Sequence, residues 1–199
     1  MRTIVAAALL CVMLALLLPL LFSGGGQAEP EAEREAEGAG ELDSELAFTV
    51  LTEGEVKTVT MSDWLPGVVA GEMPASFEPE ALKAQAVAAR TYIMYAMGRE
   101  KPAHPEADVC DDPGCCKAHS TDEALRENWG GDYDANMQKI LSAVRSTDGE
   151  YMSYGGEVIQ AVFHSSSAGR TEDSAAIWQA EPYLVSVESP ETADDVPNY

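Results

Sequence analysis

The stretch from Trp64 to Tyr95 constrains the fold more than any other, because it is typical of two helices joined by a short turn. In the first helix, Leu65, Val68 and Val69 have the three- and four-residue spacing of one buried face. The next position on that face is Glu72, where the pattern calls for an aliphatic side chain. The second helix carries a face of small alanine side chains, which lets another backbone approach closely.

Glu72 is the first candidate for chemistry. A carboxyl group surrounded by apolar side chains keeps its proton to higher pH, a property that a general acid requires. The alternative is that Glu72 ends its helix and points into water, and the pattern alone leaves both possibilities open. On the second helix, Gln85 and Arg90 are polar groups in an apolar setting.

The N-terminal residues predict a membrane anchor. Ile4 to Phe22 is almost wholly apolar, follows Arg2, and is long enough to cross a bilayer. We expect residues 1–22 to stay attached as a single span, with the rest of the chain on the outer side. The alternative is a secretory signal that is cut after Ala28.

The distribution of charged residues indicates where the folded domain begins, and the net charge excludes one class of binding partner. Residues 23–46 are rich in glutamate and poor in apolar groups, which predicts a disordered tether before a domain over residues 47–199. The formal net charge is −22. Such a surface repels phosphate polymers, so nucleic-acid binding is excluded. Any acidic ligand must be held by a local site rather than by the overall field.

Five potential metal ligands lie in one Pro-, Gly- and Asp-rich loop: His104, Cys110, Cys115, Cys116 and His119. Zinc takes about four such ligands, and a short loop can surround it. We expect zinc that orders the loop, since no H-E-x-x-H motif is present. The fourth ligand is left open between Cys115, His119 and water. A disulfide between Cys110 and Cys116 is the alternative, which leaves Cys115 unpaired.

The remaining pattern predicts an α+β fold, in which helices pack with antiparallel hairpins after a transmembrane helix. One hairpin is expected over Phe48–Thr60, with its turn at Gly54. A second is expected around Gly155-Gly156, with its second strand running over Glu157–His164.

A polar loop follows that second strand. His164 leads into Ser165, Ser166 and Ser167, whose hydroxyl groups suit hydrogen bonds to a sugar. We expect these four residues to line a cleft that faces Glu72.

The segment WLPGVVAGEMPASFEPEALKAQAVAARTY resembles the signature of the stage II sporulation protein D family, cell-wall lytic transglycosylases that are related to autolysin modifiers. AVFHSSSAGRTEDSAAIW and PYLVSVESP resemble later blocks of the family, so the resemblance runs from about Thr49 to the end. Family members continue beyond the position of Tyr199, and we expect the domain to be incomplete at its C-terminus.

The resemblance implies roles for individual residues. Glu72 falls on the family's catalytic glutamate, and we expect Gln85, Arg90 and Tyr92 of the same motif to contact substrate. The spacing from His104 through Cys110 to Cys116 resembles a metal motif of clostridial members. Many relatives have a histidine before the last cysteine, where this chain has Cys115.

The implied activity is cleavage of the glycan bond between N-acetylmuramic acid and N-acetylglucosamine without water as nucleophile. The resemblance further implies a role in engulfment during sporulation, beside a membrane-bound amidase/endopeptidase and other engulfment proteins, on glycan that has lost its peptides. The alternative is a modifier that binds peptidoglycan and stimulates an amidase.

Overall fold

A computed structural model describes residues 41–191, which lie within one compact unit. The helices are α1 (Glu41–Glu45), α2 (Met61–Glu72), α3 (Pro79–Ala96), α4 (Asp122–Trp129), α5 (Tyr133–Arg145) and α6 (Ser174–Ile177), with a 3-10 turn at Gly130–Asp132. The strands are β1 (Ala47–Thr52), β2 (Glu55–Thr60), β3 (Val109–Cys110), β4 (Ser153–Tyr154), β5 (Glu157–Val158), β6 (Gly169–Arg170) and β7 (Glu188–Ser189). The α+β class is confirmed.

Helix α2 forms as its sequence pattern predicts. The Thr60 side chain caps it by accepting a hydrogen bond from the Asp63 backbone N–H at 3.3 Å. Leu65, Val68 and Val69 are buried, which confirms the predicted inner face. The core lies where α2 and α3 pack against each other and both pack against α5.

The first hairpin is also confirmed. Strands β1 and β2 are antiparallel, with Thr52 opposite Glu55. The two turn residues, Glu53 and Gly54, both have positive φ, as a tight two-residue hairpin turn requires. Strand β3 joins the other edge of β1 in parallel, with Cys110 beside Leu51. This parallel partner, supplied by the cysteine-rich loop, was not predicted.

The second hairpin is shorter than predicted. Strands β4 and β5 pair over two residues each, around Gly155-Gly156. Residues 159–164 continue beyond β5 without strand pairing in the described part of the chain. Strands β6 and β7 form a further two-stranded antiparallel sheet.

The predicted tether ends earlier than expected. Residues 41–45 form α1, and Asp43 is buried against Arg90 of α3. The folded domain therefore includes the last residues of the predicted 23–46 segment, because the Arg90 guanidinium requires an acidic partner in the core. The predicted anchor over residues 1–22, and the predicted tether up to residue 40, lie outside the described residues. Within residues 41–191, no helix has the length and apolarity to cross a membrane.

Candidate functional site

The Glu72 carboxylate lies at the C-terminal end of α2 and is half-buried. Its Oε1 accepts a 2.9 Å hydrogen bond from the backbone N–H of Ala118. Among residues 41–191, no group donates a hydrogen bond to Oε2. One oxygen is thus fixed by the protein, and the other can exchange a proton with a ligand.

The loop that carries Ala118 packs tightly on α2. The Ser120 N–H donates a 3.0 Å hydrogen bond to the Gly67 carbonyl, and the His119 ring stacks on Trp64 with 3.6 Å between ring centroids. A Cβ atom on Gly71 would lie 3.2 Å from the Ala118 backbone. Glycine at both helix positions therefore lets the loop approach closely enough to reach the Glu72 carboxylate.

His119 belongs to this packing and not to a metal site. Burial lowers the pKa of His119 to about 4, so its ring is neutral around pH 7. Its stacking on Trp64 keeps it apart from the cysteines, and it is not a member of the His/Cys cluster found in the described residues. Of the alternatives for the fourth ligand, the structure favours Cys115 over His119.

Four side chains of the loop converge on one point. The possible ligand atoms of His104, Cys110, Cys115 and Cys116 all lie within 4.8 Å of one another. The three cysteines carry free thiols. The His104 Nδ1 lies 2.9 Å from the Ala107 carbonyl, to which it can donate its proton, and Nε2 then faces Cys116 Sγ at 3.2 Å.

This donor set fits a tetrahedral metal ion. Ligand atoms about 3.5–3.8 Å apart surround a zinc ion at its usual bond lengths. Here all four candidate ligand atoms lie within 4.8 Å of one another, and His104 Nε2 is 3.2 Å from Cys116 Sγ. The hydrogen bond from His104 to Ala107 is the support that metal-bound histidines usually have. The cluster can therefore hold a metal ion. A cavity of about 230 Å³ beside His104, Cys110 and Cys115 provides access.

Two aspartates fasten the loop to β1. Asp108 accepts hydrogen bonds from the N–H and hydroxyl of Thr49, and these bonds lower its pKa although burial alone would raise it. Asp111 accepts a 2.6 Å hydrogen bond from the Thr52 hydroxyl. Cys110 lies between them in β3, so its position is set by the sheet.

A lysine connects the cluster to α3. Lys101 Nζ donates to the Tyr92 hydroxyl at 2.7 Å and to Cys116 Sγ at 3.2 Å. Burial alone would raise the pKa of Cys116, but hydrogen bonds from the Cys110 backbone and from Lys101 lower it to about 7. Tyr92, which was predicted to contact substrate, is buried. Its hydroxyl group is linked to the cluster through Lys101.

Lys117 was not predicted from the sequence, yet it lies at the centre of the site. Its Nζ is 4.8 Å from the centroid of the Tyr92 ring and 3.9 Å from that of Phe163. Burial lowers the pKa of Lys117, and the nearby Glu72 charge opposes that shift. Lys117 therefore places a cation between two aromatic rings, close to the candidate acid.

Arg90 does not have the predicted role. Its side chain is fully buried, pairs with Asp43 at 2.7 Å, and also donates to the Val144 and Glu150 carbonyls. A guanidinium with these partners stabilises the fold and cannot reach a glycan, so the expected substrate contact is wrong. Gln85 is also buried, and its Nε2 has no hydrogen-bond partner within the described residues. Its contact with substrate stays a prediction.

His164 lines a cavity next to the segment that contacts Lys117, and the expected position of His164 and the serine loop opposite Glu72 stays a prediction. Phe163 contacts Lys117, whereas the neighbouring Val162 and His164 line a separate cavity of about 270 Å³.

The serines that follow are engaged with Glu191. Ser166 Oγ donates to Glu191 at 2.6 Å, and Ser167 donates to the same carboxylate through its N–H and hydroxyl. These bonds lower the pKa of Glu191 to about 2. Ser165 is exposed. A glycan contact by Ser165, Ser166 or Ser167 stays a prediction.

Fold and site together define an α+β protein in which a glutamate at a helix end is held by a loop that can bind a metal ion. A family model described as Stage II sporulation protein (SpoIID) matches residues 51–154, which is more than half of the chain. The chain belongs to this sporulation protein family.

Individual relatives agree with this assignment. The chain is 42% identical over 137 residues to Stage II sporulation protein D of Bacillus subtilis (strain 168), covering 68% of this chain and 40% of that protein. The same values hold for Stage II sporulation protein D of Bacillus amyloliquefaciens. It is 37% identical over 123 residues to the Amidase enhancer of Bacillus subtilis (strain 168), covering 61% of this chain and 14% of that protein. The matched region is thus less than half the length of each relative.

Proposed function

We propose that this protein is a peptidoglycan lytic transglycosylase, with Glu72 as its single general acid and base. The observation that carries the proposal is the arrangement of the Glu72 carboxylate: Oε1 is fixed by the Ala118 N–H and Oε2 is left for a ligand. The half-buried Phe163 ring beside Lys117 offers apolar surface for a sugar ring. Membership of the sporulation protein family supports the same substrate.

The reaction has two proton transfers. Glu72 donates its proton to the oxygen that links C1 of N-acetylmuramic acid to N-acetylglucosamine, and the C1–O bond breaks. The resulting carboxylate accepts the proton of the muramyl C6 hydroxyl, whose oxygen bonds to C1. The products are a free N-acetylglucosamine hydroxyl and a 1,6-anhydro end, and Glu72 is again protonated.

One carboxylate is sufficient for this chemistry. Hydrolytic glycosidases usually need a second carboxylate to activate water or to form a covalent intermediate. Here the nucleophile is part of the same sugar ring, and its high effective concentration replaces that second group. The Ala118 N–H keeps the carboxylate in one orientation between the two steps.

We assign the metal of the loop as zinc, held by His104, Cys110, Cys115 and Cys116. Bound zinc would supply a cross-link among four side chains, and its role is structural. Cys116 is the residue before Lys117 in the chain, so an ordered cluster also orders the loop that reaches Glu72.

The decisive experiment compares wild-type protein with Glu72→Gln on purified glycan strands. We expect wild type to produce 1,6-anhydro ends by mass spectrometry and the variant to produce none. Glu78→Gln is the matched control, since Glu78 is exposed and makes no side-chain capping bond at the start of α3. The proposal fails if wild type produces no anhydro ends, or if Glu72→Gln produces as many.

Similarity to the Amidase enhancer favours a second candidate, a peptidoglycan-binding protein that stimulates an amidase. In that case wild type and Glu72→Gln both sediment with peptidoglycan, neither forms product, and both accelerate peptide release by an added amidase. For either function we place the domain on the outer side of the membrane during engulfment, anchored through residues 1–22. Its partners there are glycan strands, an amidase/endopeptidase and other engulfment proteins.

A further inference from the structure

Lys101 is a cation that is held by three acceptors, none of which is a carboxylate. Its Nζ donates to the Tyr92 hydroxyl at 2.7 Å, to Cys116 Sγ at 3.2 Å and to the Cys115 carbonyl at 3.4 Å. An ammonium has three N–H donors, so all of them are used. The side chain is partly buried, and within residues 41–191 it forms no ion pair with an aspartate or a glutamate.

The Lys101 ammonium therefore lacks the usual partner of a partly buried cation. Removing such a cation from water is costly unless a negative charge lies nearby. The Tyr92 hydroxyl and the Cys115 carbonyl are neutral around pH 7. Of the three acceptors only Cys116 Sγ can supply the charge, because a thiol that binds a metal ion is deprotonated. The surroundings of Lys101 thus point to a thiolate at Cys116.

The charge of the occupied His/Cys cluster gives a reason for a cation at this position. Zinc carries two positive charges, so three thiolates and a neutral histidine leave one negative charge in excess. The Lys101 ammonium supplies the single positive charge that makes the group neutral. Lys117 is also close enough to interact with the Cys116 charge, but it donates no hydrogen bond to a sulfur atom in the part of the chain that the structure describes.

We propose that Lys101 is the counter-ion of the metal centre, and that its N–H···S hydrogen bond to Cys116 keeps the metal-bound sulfur from reacting as a nucleophile. This inference rests on the proposed zinc site. Lys101 precedes the cluster in the chain and Cys116 is its last member, so the same bond also joins the two ends of the loop. Lys101 is thus a positioning residue that acts through Cys116, and its effect favours a structural metal over a reactive one.

The first test uses cobalt(II) in place of zinc in the full chain of 199 residues, because zinc has a filled d shell and no visible absorption. The measured quantity is the wavelength of the sulfur-to-cobalt charge-transfer band. A hydrogen bond to the sulfur stabilises its electrons and moves this band to shorter wavelength. We expect Lys101→Met, which keeps the aliphatic chain without the donors, to move the band to longer wavelength. Lys101→Arg keeps a charged donor and should leave the band near its wild-type position.

The second test measures the rate at which iodoacetamide alkylates Cys116 in zinc-loaded protein, followed by mass spectrometry. We expect alkylation about ten-fold faster in Lys101→Met than in wild type, because a charge-assisted hydrogen bond to the sulfur is lost. Lys117→Met is the matched control for both tests. It removes a positive charge beside Cys116 but no hydrogen bond to sulfur, so the band and the rate should stay close to wild type.

Zinc content by elemental analysis and thermal unfolding are measured for every variant. If Lys101→Met binds no metal, metal binding by Lys101→Arg supports the need for a cation, whereas loss in both variants indicates a requirement for shape and overturns the inference. It is also overturned if Lys101→Met leaves the band or the alkylation rate unchanged, or if Lys117→Met alters them as much. Either result leaves the zinc site intact. A wild type that takes up no zinc contradicts both the site and the role of Lys101, and formation of anhydro ends tests the transglycosylase independently.

Discussion

The backbone N–H of Ala118 lies 2.9 Å from Oε1 of Glu72, and Ala118 is only two residues beyond Cys116 of the His/Cys cluster. The loop therefore has two fixed points, one at the cluster and one on α2. Between them lies Lys117, whose ammonium faces Tyr92 and Phe163. Order in the cluster is thereby linked to the orientation of the candidate acid.

Close packing of the loop on α2 is tested by Gly67→Ala. The new Cβ would lie 2.3 Å from His119 Nε2 and 2.8 Å from the Ser120 carbonyl oxygen, so the loop must move. We expect a loss of about 1–3 kcal/mol in free energy of unfolding, measured in urea, because this overlap outweighs the gain in helix propensity. Gly131→Ala is the control, since nothing lies within 4 Å of its Cβ position. Equal stability of the two variants would contradict the packing described.

Removal of the fourth ligand is expected to weaken metal binding. We expect Cys115→Ala to lower zinc affinity at least about ten-fold in chelator competition, whereas Cys115→His keeps four ligands and stoichiometric zinc. Elemental analysis under reducing conditions gives the stoichiometry. Stoichiometric zinc with unchanged affinity in Cys115→Ala would show that Cys115 is not a ligand.

The buried ion pair predicts a large loss of stability in Arg90→Met. The Asp43 carboxylate would then be buried without its partner, which costs about 3–5 kcal/mol. We expect Arg90→Met with Asp43→Asn to recover part of this loss in urea unfolding. Lys83→Ala, which breaks the exposed pair with Glu80, should cost less than about 1 kcal/mol. A comparable cost for the two single variants would refute the assigned role of Arg90.

The lowered pKa of His119 predicts that the folded protein loses stability in acid. Its pKa is about 4 in the folded protein, below its ordinary value of 6.5, so between these pH values only the unfolded chain binds the proton. The free energy of unfolding should therefore fall as pH decreases from 6.5 to 4, by as much as about 3 kcal/mol from this residue. His119→Phe keeps an aromatic ring beside Trp64 without the titration.

The measurement is the difference in stability between wild type and His119→Phe at several pH values. The stability curves of wild type and His119→Phe should run parallel above pH 7, and wild type should lose stability relative to His119→Phe as the solution becomes acidic. Parallel curves down to pH 4 would show that His119 titrates equally in the folded and unfolded states.

Sequence patterns within a single segment predicted the parts of the fold that depend only on residues close together in the chain. The buried face of α2 and the hairpin turn at Gly54 follow from periodicity and turn chemistry, and both were predicted. The His/Cys cluster could be predicted as well, because its four members lie within one short loop. These features need no knowledge of how distant elements pack.

The residues that could not be assigned depend on contacts between distant segments. Arg90 is paired with Asp43, an acid that resembles its neighbours in an acidic stretch, so nothing local distinguishes it. Lys117 acquires its role from Tyr92 of α3 and Phe163 beyond β5. One usable signal was missed: glycines four residues apart on α2, at positions 67 and 71, mark a face that another backbone approaches.

The pair of Asp43 and Arg90 has a mechanical consequence. Helix α1 is the first described element, and its carboxylate is locked inside the domain by a guanidinium from α3. A pulling force applied through the residues before Glu41 would act on this buried ion pair before it reached α2, the helix that carries Glu72. A force from the N-terminal side would then be carried by the Asp43–Arg90 pair without distortion of Glu72 and the loop that holds it.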